Sequence, residues 1–213
     1  MGKASSLTEK ARKLLESYES KFTPDQYKDR LHYKNMFKFG EEMKREGHDF
    51  DIDAYNVAVW IHDIGHYVSN NNEDMGGVNY DRDKHKKLGL DIFNKEFRKY
   101  IGDKDLEEKI SACIVYHSGP LDKKGEAYLK KYPELGVIRE ADRASFYHPS
   151  FTLNYLGEVP DREGLGSFEK FINSNYNEFM NLAEPTTAGK KIINKWRKES
   201  DKLIASYRAE NQG

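Results

Sequence analysis

The sequence predicts an all-α protein, folded as a single-domain helical bundle over residues 1–213. Proline is scarce, with 6 among 213 residues, and long stretches contain none. Apolar side chains recur three and four residues apart along much of the chain, which is the spacing of an amphipathic helix. A chain of this length lies near the range of one domain and can bury a core large enough to hold a polar site.

Two helices are predicted before residue 48. Leu7 to about Phe22 is amphipathic, with lysine and glutamate between its apolar positions. Thr23-Pro24-Asp25 begins the second helix, which we expect to run from Pro24 to about Arg45 and to end at Gly47. His32 therefore lies on a helix.

The third helix, over about residues 53–66, is apolar nearly all round, so we expect it at the centre of the core. It contains the adjacent pair His62-Asp63, where a charged carboxylate is costly to bury unless it is paired or metal-bound. Adjacent helical residues point about 100° apart, so both can bind one ligand only at a helix end or a distortion. We interpret Gly65 as that end.

A loop and five further helices are predicted in the rest of the chain. Residues 69–83 carry turn formers, including Gly76-Gly77, and we interpret them as a mobile loop that could close over a substrate as a lid. Helices are expected over residues 84–100, 106–117 and 132–147. A loop follows, and two C-terminal packing helices are expected within about residues 167–208, outside a core of about residues 25–147.

Composition excludes several classes of protein. Charged residues make up 33% of the chain, yet the net charge is −1, so an overall basic nucleic-acid binder is not expected. No apolar run reaches the roughly 18 residues of a membrane span, and the N-terminus lacks a signal-peptide core. We expect a cytoplasmic protein without a membrane partner, and the single cysteine, Cys113, as a small buried group. The oligomeric state stays open.

Histidines and aspartates form an ordered series on the predicted helices: His32, His62, Asp63, His85, His117 and Asp142. Imidazole and carboxylate groups bind first-row divalent metals, and ligands from several helices can enclose an ion inside a bundle. Each histidine taken alone is more readily interpreted as an ordinary core or surface residue, and it is their placement together that favours a site. On spacing alone, Asp142 either ligates a metal or pairs with Arg139 or Arg143 on a solvated helix face.

The series resembles the signature of the HD-domain superfamily of metal-dependent phosphohydrolases, which is a His, a distant His-Asp doublet and a late Asp on a helical bundle. Here the first His lies in residues 30–34, the doublet in residues 60–66 and the last Asp in residues 140–143. The resemblance implies a helical bundle of the HD-domain type with two extra C-terminal helices. It also implies a divalent metal held by these residues: His32, His62, Asp63 and Asp142.

Some members of that superfamily carry two further histidines that help to hold a second ion. His85 and His117 match those places in order and flanking pattern. Where the family often has a His-His pair, this chain has Tyr116-His117. One or two ions are therefore expected, with Mn, Fe, Co, Ni or Zn favoured by the mixed ligands and Mg possible.

The resemblance implies hydrolysis of a phosphoester or phosphoanhydride, expected to be that of a nucleotide, by a metal-activated water. Asp63 would ligate and, with two ions, bridge them, while His85 and His117 would complete the second site or contact the phosphate. Arg82 and Arg143 flank the ligands and suit phosphate oxygens. His66, four residues after His62, is a further candidate for contact with the substrate.

Two rival functions use the same residues. A few relatives in the superfamily are di-iron oxygenases with the same ligand series, and a non-catalytic module could sense a nucleotide without turnover. A nucleic-acid binder is the least favoured alternative, because no clustered basic helix provides an electrostatic footprint.

Overall fold

The structure is a computed structural model that describes residues 3–19, 27–68, 82–158, 162–181 and 185–211. Within those ranges the regular structure is helical and contains no strand, so the all-α prediction is confirmed. The α-helices are α1 (Lys3–Glu19), α2 (Tyr27–Arg45), α3 (Ile52–Ile61), α4 (Arg82–Ile92), α5 (Lys104–Tyr116), α6 (Lys123–Lys131), α7 (Pro133–Ala144), α8 (Pro149–Glu158), α9 (Arg162–Met180) and α10 (Thr187–Glu210).

The chain divides into two compact units. The first comprises Met1–Tyr27 and Asp49–Arg139, and the second comprises Lys28–His48 and Glu140–Gly213. Most of the predicted lid loop, residues 69–81, lies outside the described residues. None of the helices in the described ranges is both long and apolar enough to span a membrane.

The first unit is built around α3, which packs against α1 and α5. Asp51 begins α3, because its side chain accepts hydrogen bonds from the backbone N–H groups of Asp53 and Ala54. Apolar side chains cover nearly the whole helix and are buried, as its sequence predicted. On α5, Cys113 is buried as expected, and burial raises the pKa of its thiol.

Two differences from the predicted helices appear in the first unit. The predicted helix over residues 84–100 is α4 followed by a π turn (Phe93–Phe97) and a 3-10 turn (Arg98–Tyr100). The helix α6 was not predicted, because its lysines leave it almost without apolar periodicity; the one member of α6 that is buried is Gly125. Asp122 caps α6 by accepting a hydrogen bond from the Gly125 N–H at 2.7 Å.

The second unit contains α2 and the chain from Glu140 onward, with α10 packed on α8. The connection after Tyr147 was predicted as a loop, and it contains α8, which Pro149 begins as a first-turn proline. The loop prediction was therefore wrong there. The helix α9 begins at Arg162, five residues before the predicted start, and Trp196 of α10 contacts Phe39 edge to face at 5.8 Å.

Candidate metal centre

The His62-Asp63 pair lies where α3 ends. The His62 N–H still donates to the Ala58 carbonyl at 2.8 Å, but Asp63 leaves the helix with φ −105° and ψ 8°. A 3-10 turn, Ile64–Tyr67, follows. This break brings His62 Nε2 to 3.0 Å from Asp63 Oδ2, which two consecutive residues of a regular helix would not achieve.

Gly65 has a different role from the one predicted. The helix ends before it, so Gly65 is not the terminator. A Cβ built on Gly65 would lie 1.9 Å from the His85 carbonyl oxygen and 2.7 Å from the Gly89 nitrogen, so only glycine lets the turn approach α4 this closely. The close approach places His85 beside Asp63.

Four histidine rings converge on the Asp63 carboxylate in the first unit. His62 approaches Oδ2, while His117 Nε2 lies 3.2 Å from Oδ1, and His85 Nε2 and His66 Nε2 each lie 3.6 Å from Oδ1. The Nε2 atoms of His85 and His117 are 3.3 Å apart. We refer to these five residues as the histidine cluster.

Backbone carbonyls fix the ring orientation of two members of the histidine cluster. His62 Nδ1 lies 2.9 Å from the Val59 carbonyl, and His117 Nδ1 lies 2.9 Å from the Ile114 carbonyl. A carbonyl only accepts, so each Nδ1 carries a proton and each neutral ring has its lone pair on Nε2. This is the arrangement that histidine ligands of metals commonly adopt.

The charges in the histidine cluster favour a cation. Burial alone would raise the pKa of Asp63, but the electrostatic influence of the adjacent His62 and His117 imidazoles outweighs burial and holds that pKa well below its ordinary value. Burial lowers the pKa of His85 to about 3, so its ring is neutral at pH 7. The centre therefore combines one carboxylate with a neutral imidazole.

The donor set fits a divalent metal. A carboxylate oxygen and an unprotonated Nε2 are both acceptors, so their close approach calls for a proton or a metal ion between them. One ligand atom each from Asp63, His66 and His85 lies within 4.8 Å of the others. His66, predicted only as a substrate contact, therefore also lies in a position to ligate, and its ring stacks on His85 at 4.1 Å.

The second unit brings together the first and last members of the predicted series. His32 Nε2 on α2 lies 3.6 Å from Asp142 Oδ1 on α7, and both residues are buried. His32 Nδ1 lies 2.7 Å from Ser145 Oγ, and the Ser145 hydroxyl donates to the Asp142 carbonyl at 2.9 Å. We refer to His32 and Asp142 as the His32–Asp142 pair.

Asp142 pairs with one of the two arginines that its sequence context offered. Arg143 NH1 pairs with Asp142 Oδ2, and Arg143 Nε lies 3.1 Å from Glu178. The Arg139 guanidinium donates to the carbonyls of Tyr116 and Gly119. The Asp142 side chain is only 8% exposed, so this pairing does not lie on a solvated helix face.

Other predicted contacts have mixed outcomes. Arg82 begins α4, but its side chain lies outside the described part of the structure. Lys86 on α4 is buried, and its ammonium lies 2.8 Å from Asp83 and 3.4 Å from the Ser118 carbonyl.

Sequence reasoning missed Ser145 and the two carbonyls that orient the rings. The sequence did contain one signal for the carbonyls. Each belongs to the residue three positions before its histidine, and residues three apart lie close together on a helix. The partner of His32 had no such signal, since Ser145 lies 113 residues away in sequence.

One comparison with known proteins decides the family. The family model described as the HD domain matches residues 31–147, which is more than half of the chain. The chain belongs to the HD domain family. Neither the search of the curated proteins nor that of the solved structures found a match. The matched range of this HD domain includes every member of the histidine cluster and the His32–Asp142 pair.

Proposed function

We propose that this HD-domain protein is a metal-dependent phosphohydrolase that cleaves a phosphoester or phosphoanhydride of a nucleotide. The observation that carries the proposal is the convergence of four histidine Nε2 atoms on the Asp63 carboxylate. Mixed imidazole and carboxylate ligands suit Mn, Fe, Co, Ni or Zn, and Mg can assist with phosphate.

The proposed ligands follow the family signature residue by residue. By that signature, a first ion would be held by His32, His62, Asp63 and Asp142. A second ion would be held by His85 and His117, with Asp63 shared between the two ions. The Nδ1 protons of His32, His62 and His117 are all directed at oxygen acceptors, and this common orientation supports their use of Nε2 as the ligand atom.

A bound divalent ion supplies Lewis acidity, which activates water and polarises a phosphoryl oxygen. Asp63 is anionic at neutral pH, so with a single ion bound its other carboxylate oxygen would accept a hydrogen bond from the attacking water and orient that water toward phosphorus. His85 would act as a lone-pair ligand in this scheme, because burial lowers the pKa of its ring to about 3.

Arginines are the proposed phosphate contacts. A guanidinium offers a planar fork that matches two phosphate oxygens. Arg143 is already oriented by Asp142 and Glu178, and its side chain is 13% exposed. Arg82 at the start of α4 and His66 in the histidine cluster are the other proposed substrate contacts.

An aromatic surface in the second unit supports a nucleotide over a simple phosphoester. Phe146 stacks on His32 with ring centroids 5.1 Å apart, and Phe171 contacts Phe146 edge to face at 5.4 Å. Phe171 is 43% exposed. Its ring is therefore available to stack on a nucleotide base, and stacking of this kind contributes about 1–3 kcal/mol per base.

The test combines metal analysis with a release screen. Purified protein is assayed for metal content and then for phosphate and pyrophosphate release from nucleotides with Mn, Co and Mg, beside Asp63→Ala. We expect metal-dependent release that this variant loses, and equal activity in the variant would overturn the proposal.

The same preparation separates the rival functions. Two irons with O2 uptake in anaerobically prepared protein would favour a di-iron oxygenase. Tight nucleotide binding by metal-loaded protein without any product would favour a sensing module. Phosphate release with Mn and without oxygen would exclude both.

A further inference from the structure

Ser145 lies at the start of the 3-10 turn (Ser145–Tyr147) that follows α7, and it touches both members of the His32–Asp142 pair. It is completely buried, while His32 is 7% exposed. From these contacts we propose that Ser145 is a positioning residue, which fixes the ring of His32 so that Nε2 is presented as a ligand atom beside Asp142.

The proton directions follow from the hydrogen-bonding capacity of each group. A serine hydroxyl has one hydrogen, and that of Ser145 is donated to the Asp142 carbonyl, which only accepts. Ser145 Oγ must therefore accept the 2.7 Å hydrogen bond from His32 Nδ1–H. The neutral His32 ring then has its lone pair on Nε2, which is the atom that faces Asp142 Oδ1 at 3.6 Å.

Ser145 is itself held in place by α2. The Asn35 side-chain NH2 donates to the Ser145 carbonyl at 3.0 Å, and Asn35 is fully buried. The Asn35 side-chain oxygen, Oδ1, accepts a hydrogen bond from the Ser150 hydroxyl at 3.0 Å. His32 and Asn35 both lie on α2, so the same helix that carries the histidine also anchors the serine that orients it.

A fixed ring lowers the cost of binding a metal. Without Ser145 Oγ, the His32 ring can rotate or move its proton to Nε2. The ring must then be reoriented, or lose that proton from Nε2, before it can bind a metal ion. Loss of a hydrogen-bond partner to a metal-ligating histidine typically weakens metal affinity by about 10–100-fold. The inference rests on the proposed function, because it takes His32 to be a ligand.

The test compares Ser145→Ala with Ser200→Ala. Ser200 is also buried in the second unit, and its hydroxyl also donates to a backbone carbonyl, that of Tyr147 at 2.9 Å, but it is not among the partners of His32 described above. We expect Mn²⁺ affinity to fall about 10–100-fold in Ser145→Ala and to stay within about twofold in Ser200→Ala.

Ring ¹⁵N chemical shifts give a readout that does not depend on activity. Its deciding measurement is made on the wild-type protein, so it holds even if Ser145→Ala fails to fold. In wild-type protein without added metal, the His32 signal should be that of the Nδ1–H tautomer, and in Ser145→Ala it should move toward Nε2–H. A wild-type His32 ring in the Nε2–H form would overturn the inference.

His32→Ala separates the two possible failures. If Mn²⁺ affinity is unchanged in His32→Ala, the ligand assignment of the proposed function fails. If it falls in His32→Ala but not in Ser145→Ala, with unaltered ring shifts, only the positioning role is wrong.

Discussion

The replacement Gly65→Ala tests whether the close approach of the 3-10 turn to α4 builds the histidine cluster. The added Cβ would lie 1.9 Å from the His85 carbonyl oxygen, whereas an ordinary contact begins at 3.4 Å. The two backbones must therefore separate by about 1.5 Å. Both neighbours are backbone atoms, so no flexible side chain can absorb the clash.

Two consequences follow from that displacement. Overpacking a rigid site costs about 1–3 kcal/mol, and in a protein of this size each kcal/mol lowers the melting temperature by about 2–4 °C. His85 also moves away from Asp63 and His117, from which its Nε2 now lies 3.6 and 3.3 Å. We expect a loss of several degrees in melting temperature together with weaker binding of the second ion.

The assay is thermal unfolding by circular dichroism, with Mn²⁺ titration of the same protein. Gly102→Ala is the matched control, since a Cβ at Gly102 meets nothing within 4 Å, and this variant should be neutral or slightly stabilising. Gly65→Ala with the melting temperature and Mn²⁺ affinity of Gly102→Ala would refute the reasoning.

Three further outcomes are expected. Asp63→Asn should reduce the affinity for metal by at least about 100-fold, whereas Asp91→Asn at an exposed position should not. Full metal content of Asp63→Asn after dialysis would contradict the ligand assignment. Burial lowers the pKa of His148 to about 4, so between pH 6.5 and 4 the unfolded chain takes up a proton that the folded chain does not. The free energy of unfolding should therefore decrease as the pH is lowered through this range. His148→Gln should reduce that slope by about 1.4 kcal/mol per pH unit in urea unfolding, and an unchanged slope would disprove it. Phe171→Ala should raise KM for nucleotides about 5–100-fold but not KM for ribose 5-phosphate, with exposed Leu153→Ala as control; equal effects on both substrates would exclude base stacking.

Helix prediction succeeded where apolar periodicity was strong. The helix α3 and the segment from Leu106 to His117 carry such a pattern, and both are helical in the structure. It failed for α6, whose surface is largely lysine. It also failed for α8, which begins at Pro149, because a proline at this position is compatible with the start of either a helix or a loop. In both cases tertiary contacts stabilise a short helix that local propensity does not distinguish from a turn.

The sequence by itself determined the helical class and the ordered series of His and Asp residues, because helical periodicity and residue order are local properties of the chain. Tertiary structure alone decided how those side chains are presented. The backbone break at Asp63, the contact of Gly65 with α4 and the hydrogen bond from His32 to Ser145 each depend on where distant segments come to lie. Ring orientation is set by such partners, and no spacing along the chain encodes a partner 113 residues away.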